Sequence, residues 1–180
     1  MADSKGIGSV GFYLMLALLL LIIPLPWLVA MFVAGGFHEL CHWITLRVLT
    51  GVNAPIYLSG DSARMPIPDM PIWKEMLCAM AGPAGGLLLT FFAPIFPRLA
   101  LCAMLQSLYN LIPIYPMDGG RIVSCVLHFL FEPPMVNRIL SFISVAIRCA
   151  ILILGIYGSL FLQWGIFPIL FAALLCIRIK

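Results

Sequence analysis

Charge is what this sequence has least of. Aspartate, glutamate, lysine and arginine together make up 9% of its 180 residues, against roughly 25% in an ordinary soluble domain. A surface that sparse in charge excludes water as the main solvent and leaves lipid. No basic block or arginine-rich face is present. The formal charge of +3 comes from scattered residues, which argues against a nucleic-acid partner. The six cysteines, at 41, 78, 102, 125, 149 and 176, form no CxxC pair and sit almost entirely in apolar runs. That excludes a disulfide framework and reads as buried small hydrophobes. The first apolar run lacks a small-residue cleavage site and continues through Pro24 and Pro26, so it reads as a retained helix rather than a signal peptide. Internal repeats, expected of many transporters, are not evident.

What the sequence does have is apolar length. Hydrophobic residues are 63% of the chain and the mean hydropathy is +1.13. At ~20 residues per crossing, the pattern predicts an all-α polytopic membrane protein with about six transmembrane helices. They are expected at roughly 7–25, 27–49, 74–93, 97–131 (broken near 113–120), 135–157 and 160–178, within a single domain covering 1–180. Placing the N-terminus in the cytoplasm puts Lys5, Arg47, Arg64, Lys74, Arg138, Arg178 and Lys180 inside and Arg98 outside. The positive-inside rule then favours both termini in the cytoplasm. The expected location is a cytoplasmic membrane.

Residues 52–73 do not read as helix. Two extended stretches, Val52–Leu58 and Ala63–Ile67, flank the turn-like Ser59-Gly60-Asp61-Ser62, and the prolines at 55, 66, 68 and 71 suit an edge strand or a loop. The segment reads either as a plain cytoplasmic connection or as a short β-hairpin at the membrane interface, whose free edge could pair with an extended substrate.

Within the second span stands His38-Glu39-Leu40-Cys41-His42, an H-E-x-x-H motif. Histidines four apart share one helix face and can bind one metal, with the glutamate close enough to activate a water. With three histidines in the chain, a chance match is on the order of one in a thousand. Ionisable groups at membrane depth are costly and usually functional. A catalytic zinc site normally has three protein ligands. His128 is the one histidine left, while Asp3, Asp61, Asp69, Glu75 and Glu132 fall in tails, loops or helix ends. Asp118 differs: it lies in Asn110-Leu-Ile-Pro-Ile-Tyr-Pro-Met-Asp-Gly-Gly-Arg121, between apolar stretches. Two prolines and two glycines break the fourth span there. Membranes tolerate such a break beside buried protein or a water-lined cavity, which a hydrolase needs. His42 lies five residues before Arg47, about 8 Å inside the helix end, and His38 about 14 Å.

The pairing of His38-Glu39-x-x-His42 with the later Pro116-Met117-Asp118-Gly119-Gly120-Arg121 resembles the site-2 protease family of intramembrane zinc metalloproteases. Within that family it is similar to the bacterial branch of stage IV sporulation protein FB. The resemblance covers roughly 27–131. It implies zinc held by His38, His42 and Asp118, Glu39 as general base, and Asn110 and Pro113 at the substrate. It also implies cleavage in or near a transmembrane segment of a membrane-associated substrate, in regulated proteolysis or sigma-factor activation, with regulatory membrane proteins or a second copy as further partners. Gly82-Pro83-Ala84-Gly85-Gly86 lacks the Asn of the family's Gly-Pro-x-x-Asn stretch, which leaves that segment a helix-packing role. Many members read Asn-Pro-Asp-Gly where this chain has Tyr115-Pro116-Met117-Asp118. No PDZ or CBS domain is read in the chain.

The rival reading is a non-proteolytic membrane protein that binds or transports a divalent metal through the His/Asp cluster. Such a protein has no need of Glu39 in this register. His128 reads as a hydrogen-bonded core or interfacial histidine. Arg148, near the middle of the fifth span, either pairs with an acid or a carbonyl or snorkels.

Overall fold

A computed structural model describes residues 19–53, 57–58, 63–64, 69–115 and 117–161, together with the single positions 165, 169 and 173. The chain divides into two compact units, Met1–Tyr109 and Asn110–Lys180.

In the first unit, helix α1 spans Leu25–Thr50. Pro26 lies in its first turn, where the missing N–H costs nothing. Gly51 ends it in the left-handed region (φ 72°), returning its N–H to the Arg47 carbonyl; that conformation favours glycine. Two side chains satisfy further terminal carbonyls: Thr50 Oγ1 donates to Leu46 O at 2.7 Å and Lys74 Nζ to Leu49 O at 2.8 Å. Two short strands follow, β1 (Tyr57–Leu58) and β2 (Ala63–Arg64). They pair antiparallel, with Tyr57 opposite Arg64 and Leu58 opposite Ala63. Helix α2 spans Ile72–Leu89 and runs into a 3-10 turn at Thr90–Phe92. Helix α3 spans Pro97–Asn110, reaching the unit boundary.

Small residues bring these helices together. The buried positions of α2 are Cys78, Ala79, Gly82, Pro83, Gly85 and Gly86, and those of α3 are Ala100, Ala103 and Ser107. Both sets recur at three- and four-residue spacing, one face of each helix. Lipid is as apolar as leucine, so burying leucine between helices gains little, and close backbone approach through small side chains does more. The large apolar side chains accordingly point outward: Val29, Val33, Val48, Leu88, Leu105 and Leu108 are all exposed.

In the second unit, residues 111–115 and 117 leave the helical path and helix α4 starts at Asp118, running to Leu130. Helix α5, Pro133–Leu160, packs against α4.

Among the described residues, three helices are long and apolar enough to cross a membrane: 26 residues at Leu25–Thr50, 21 at Ile72–Phe92 and 28 at Pro133–Leu160. The expectation of six spans is therefore met in part. Most of the first and sixth expected spans lie outside the described residues. The expected fourth span is divided into helices of 14 and 13 residues, each shorter than the ~20 needed to cross alone. Of the segment expected as a connection or an interface hairpin, the described part within 54–68 is the two-residue ladder.

Candidate metal centre

The first unit presents two imidazoles on one face of α1. His38 is 3% exposed and His42 is half-buried. The ring centroids lie 4.7 Å apart in an edge-on arrangement, with interplanar angle 78°. His42 Nδ1 stands 2.6 Å from the Cys78 carbonyl of α2. A carbonyl oxygen can only accept, so Nδ1 carries the proton and Nε2 keeps its lone pair. That lone pair faces His38 Nε2 at 3.1 Å. Two nitrogens so placed share either a proton or an ion. An ion bound tetrahedrally by both at ~2.05 Å would set them about 3.3 Å apart, so the pair as folded is close to a metal-ligand spacing. The donation from His42 to a backbone carbonyl is the outer hydrogen bond that metal-ligating histidines almost always make.

That carbonyl belongs to helix α2, which carries Pro83 in its interior. Proline has no N–H to give the carbonyl four residues back and its ring pushes that turn open. The carbonyl so deprived is that of Ala79, the residue after Cys78. The segment Gly82–Gly86 thus does more than the helix packing expected of it. Gly82 lies against the two Nε2 atoms, and Gly85 against Cys41. The Cys78 carbonyl and Gly82 were absent from the sequence-derived site. The Gly82-Pro83 pair marked an irregular place in an apolar helix, but not which carbonyl or glycine faces the histidines. Glu39 occupies the next position on α1 after His38 and is half-buried.

The second unit holds the remaining expected residues. Asp118 opens α4 and is 8% exposed. Its carboxylate has two compensations: the positive end of the helix dipole and Arg121, whose Nη1 lies 3.9 Å from Asp118 Oδ1. The loop before it folds back on itself, with Ile114 N–H donating to Ile112 O at 2.8 Å and Met117 N–H to Ile114 O at 2.9 Å. Ile114 is fully buried. This loop lies directly on the start of α4. A Cβ on Gly119 would collide with the Leu111 carbonyl, and one on Gly120 would stand 2.5 Å from the Ile114 carbonyl carbon. The glycine pair after Asp118 therefore lets backbone meet backbone. Asn110, the last residue of α3, and Pro113, in the loop, are half-buried.

His128 lies on α4, its Nδ1 2.8 Å from the Ser124 carbonyl one turn back, so that nitrogen is engaged on its own helix. Arg148 is half-buried in the middle of α5. All cysteines among the described residues are free thiols. By donor type, His38, His42 and Asp118 each offer one ligand atom to a metal ion, a set suited to zinc.

No protein-family model matches the chain, and no curated protein matches it. Among solved structures it is similar to a Site-2 Protease from Methanocaldococcus jannaschii, with a TM-score of 0.69. The likeness covers 94% of this chain and 86% of that one at 21% identity. The shared property at that identity is the fold. This chain is a helical membrane protein with the fold of a site-2 protease.

Proposed function

We propose that the protein is a zinc-dependent intramembrane endopeptidase. The observation that carries this reading is the histidine pair: two Nε2 atoms 3.1 Å apart, one held in its ligand tautomer by the Cys78 carbonyl. His38, His42 and Asp118 would hold the ion. Zinc so bound would bring the pKa of a water down to about 7 and polarise a carbonyl.

The chain's own contribution is proton handling and substrate placement. The Glu39 carboxylate takes a proton from the attacking water as its oxygen bonds to the scissile carbonyl carbon. The same carboxyl then passes that proton to the departing nitrogen as the C–N bond breaks. Asn110 and Pro113 bind the substrate backbone beside the reacting bond. A substrate helix must unwind locally, because a helical carbonyl is already hydrogen-bonded. The substrate is a transmembrane or membrane-associated segment, and regulated release of a factor such as a sigma factor is the setting the Asn110–Arg121 motif favours. The free edge of the β1–β2 ladder is a further place for an extended substrate. Both termini lie in the cytoplasm of a bacterial cell in this reading.

The decisive experiment reconstitutes the protein in detergent or liposomes with a single-span substrate and compares it with Glu39→Gln. Retained zinc with lost cleavage supports the protease. Undiminished cleavage in Glu39→Gln sinks the mechanism, and metal flux through both proteins revives a transporter.

A further inference from the structure

Three glycines of α2 meet three different things. An added Cβ at Gly85 would strike Cys41 Sγ and approach Cys41 Cβ at 3.1 Å, and one at Gly86 would strike Ser107 Oγ. These are helix-packing contacts with a thiol and a hydroxyl. Gly82 differs in kind. Its Cβ would collide with His42 Nε2 and stand 2.7 Å from His38 Nε2, the two atoms whose lone pairs a metal would use. Real Cβ atoms do not come within 3.0 Å of such neighbours. Because His42 is held from behind by the Cys78 carbonyl at 2.6 Å, its ring cannot swing away without breaking that bond.

From this we infer that Gly82 is a positioning residue for the metal: its missing side chain keeps clear the space that an ion shared by His38 and His42 must occupy. The inference rests on the zinc reading above and adds to it a wall formed by α2. A methyl group there would compete with the ion for space and tilt the Nε2 atoms apart. Packing alone would predict no difference between Gly82 and Gly85, since both sit where α2 lies closest to α1.

The test compares Gly82→Ala with Gly85→Ala, using chelator-buffered zinc and counting zinc per chain. Both variants are expected to lower the melting temperature of the metal-free protein, since both overpack the same interface. Gly82→Ala should also bind zinc about tenfold or more weakly, the loss typical when the support of a ligand is disturbed. Gly85→Ala should bind as the unsubstituted protein does. Equal zinc affinity in Gly82→Ala and the unsubstituted protein overturns the inference, as does an equal loss in the two variants. Should Gly82→Ala not fold, a His42→Ala background keeps the question open to measurement. There the methyl has no Nε2 of residue 42 to meet, so it should cost less thermal stability than in the intact pair; an unchanged cost would again overturn the inference. Absence of zinc in the unsubstituted protein is a separate result, one that refutes the metalloprotease reading itself.

Discussion

The histidine pair and the aspartate are positioned by opposite means. His38 and His42 stand on an unbroken helix, and a four-residue spacing is enough to turn both rings to one face. Asp118 stands where a helix has failed: α3 ends at Asn110, a loop folds over itself, and α4 restarts at the aspartate. The first arrangement is robust because backbone hydrogen bonding and ligand placement come from the same periodicity. The second holds its aspartate by contacts of the loop backbone with Gly119 and Gly120. Loss of a side chain should therefore damage the first region through chemistry, while the second is open to purely steric damage far from any donor atom.

The largest effects expected are on metal and proton transfer. Asp118→Asn should weaken zinc retention by about 100-fold or more, beyond the 10–100-fold typical of losing only an outer partner, as read by zinc per chain under buffered conditions. Full zinc and full cleavage in that variant would move the third ligand elsewhere, with His128 the first to test. Glu39→Gln should leave zinc intact while cleavage falls by about 10²–10⁴-fold, the usual contribution of a general base. Together these separate a ligand from a base.

A smaller and more diagnostic effect is expected at Gly120. Gly120→Ala should destabilise the protein by about 1–3 kcal/mol through overpacking, measured as a lowered melting temperature, and should reduce zinc as Asp118 shifts with its loop. If Gly120→Ala were as stable as the unsubstituted protein, the backbone contact would not be what holds the aspartate side. Asn110→Ala should reduce cleavage with zinc content unchanged. Zinc lost in parallel would make Asn110 part of the centre's support instead. The smallest change is at Lys74. Lys74→Met removes one hydrogen bond to the α1 carbonyl of Leu49, worth about 0.5–1.5 kcal/mol, and thermal unfolding should register it while zinc does not move.

Legibility followed the same division. Lipid as solvent, the apolar crossings, and the shared face of His38 and His42 are local properties, carried by composition and by helical period. The break before Asp118 was local too, because prolines and glycines interrupt a helix wherever they stand. The number of crossings was less legible. Length and hydropathy count stretches of ~20 apolar residues, yet residues 97–110 and 118–130 are two short helices whose separation those measures do not register.

By itself, then, the sequence determined which side chains could hold a metal and which could move a proton. Those properties belong to residue type and, for His38, Glu39 and His42, to spacing along one helix. Only the tertiary structure decided how the histidines are held. Cys78 lies 36 residues from His42 and acts through a carbonyl oxygen, a group that every residue possesses and no sequence pattern marks. Gly82 acts through a missing side chain, whose meaning appears only when another helix is laid against it. Gly119 and Gly120 serve the same way beneath the Leu111–Tyr115 backbone. The physical reason is common to all of them: the outer support of the centre is made of backbone and empty space, which become specific only once elements distant in sequence are packed together.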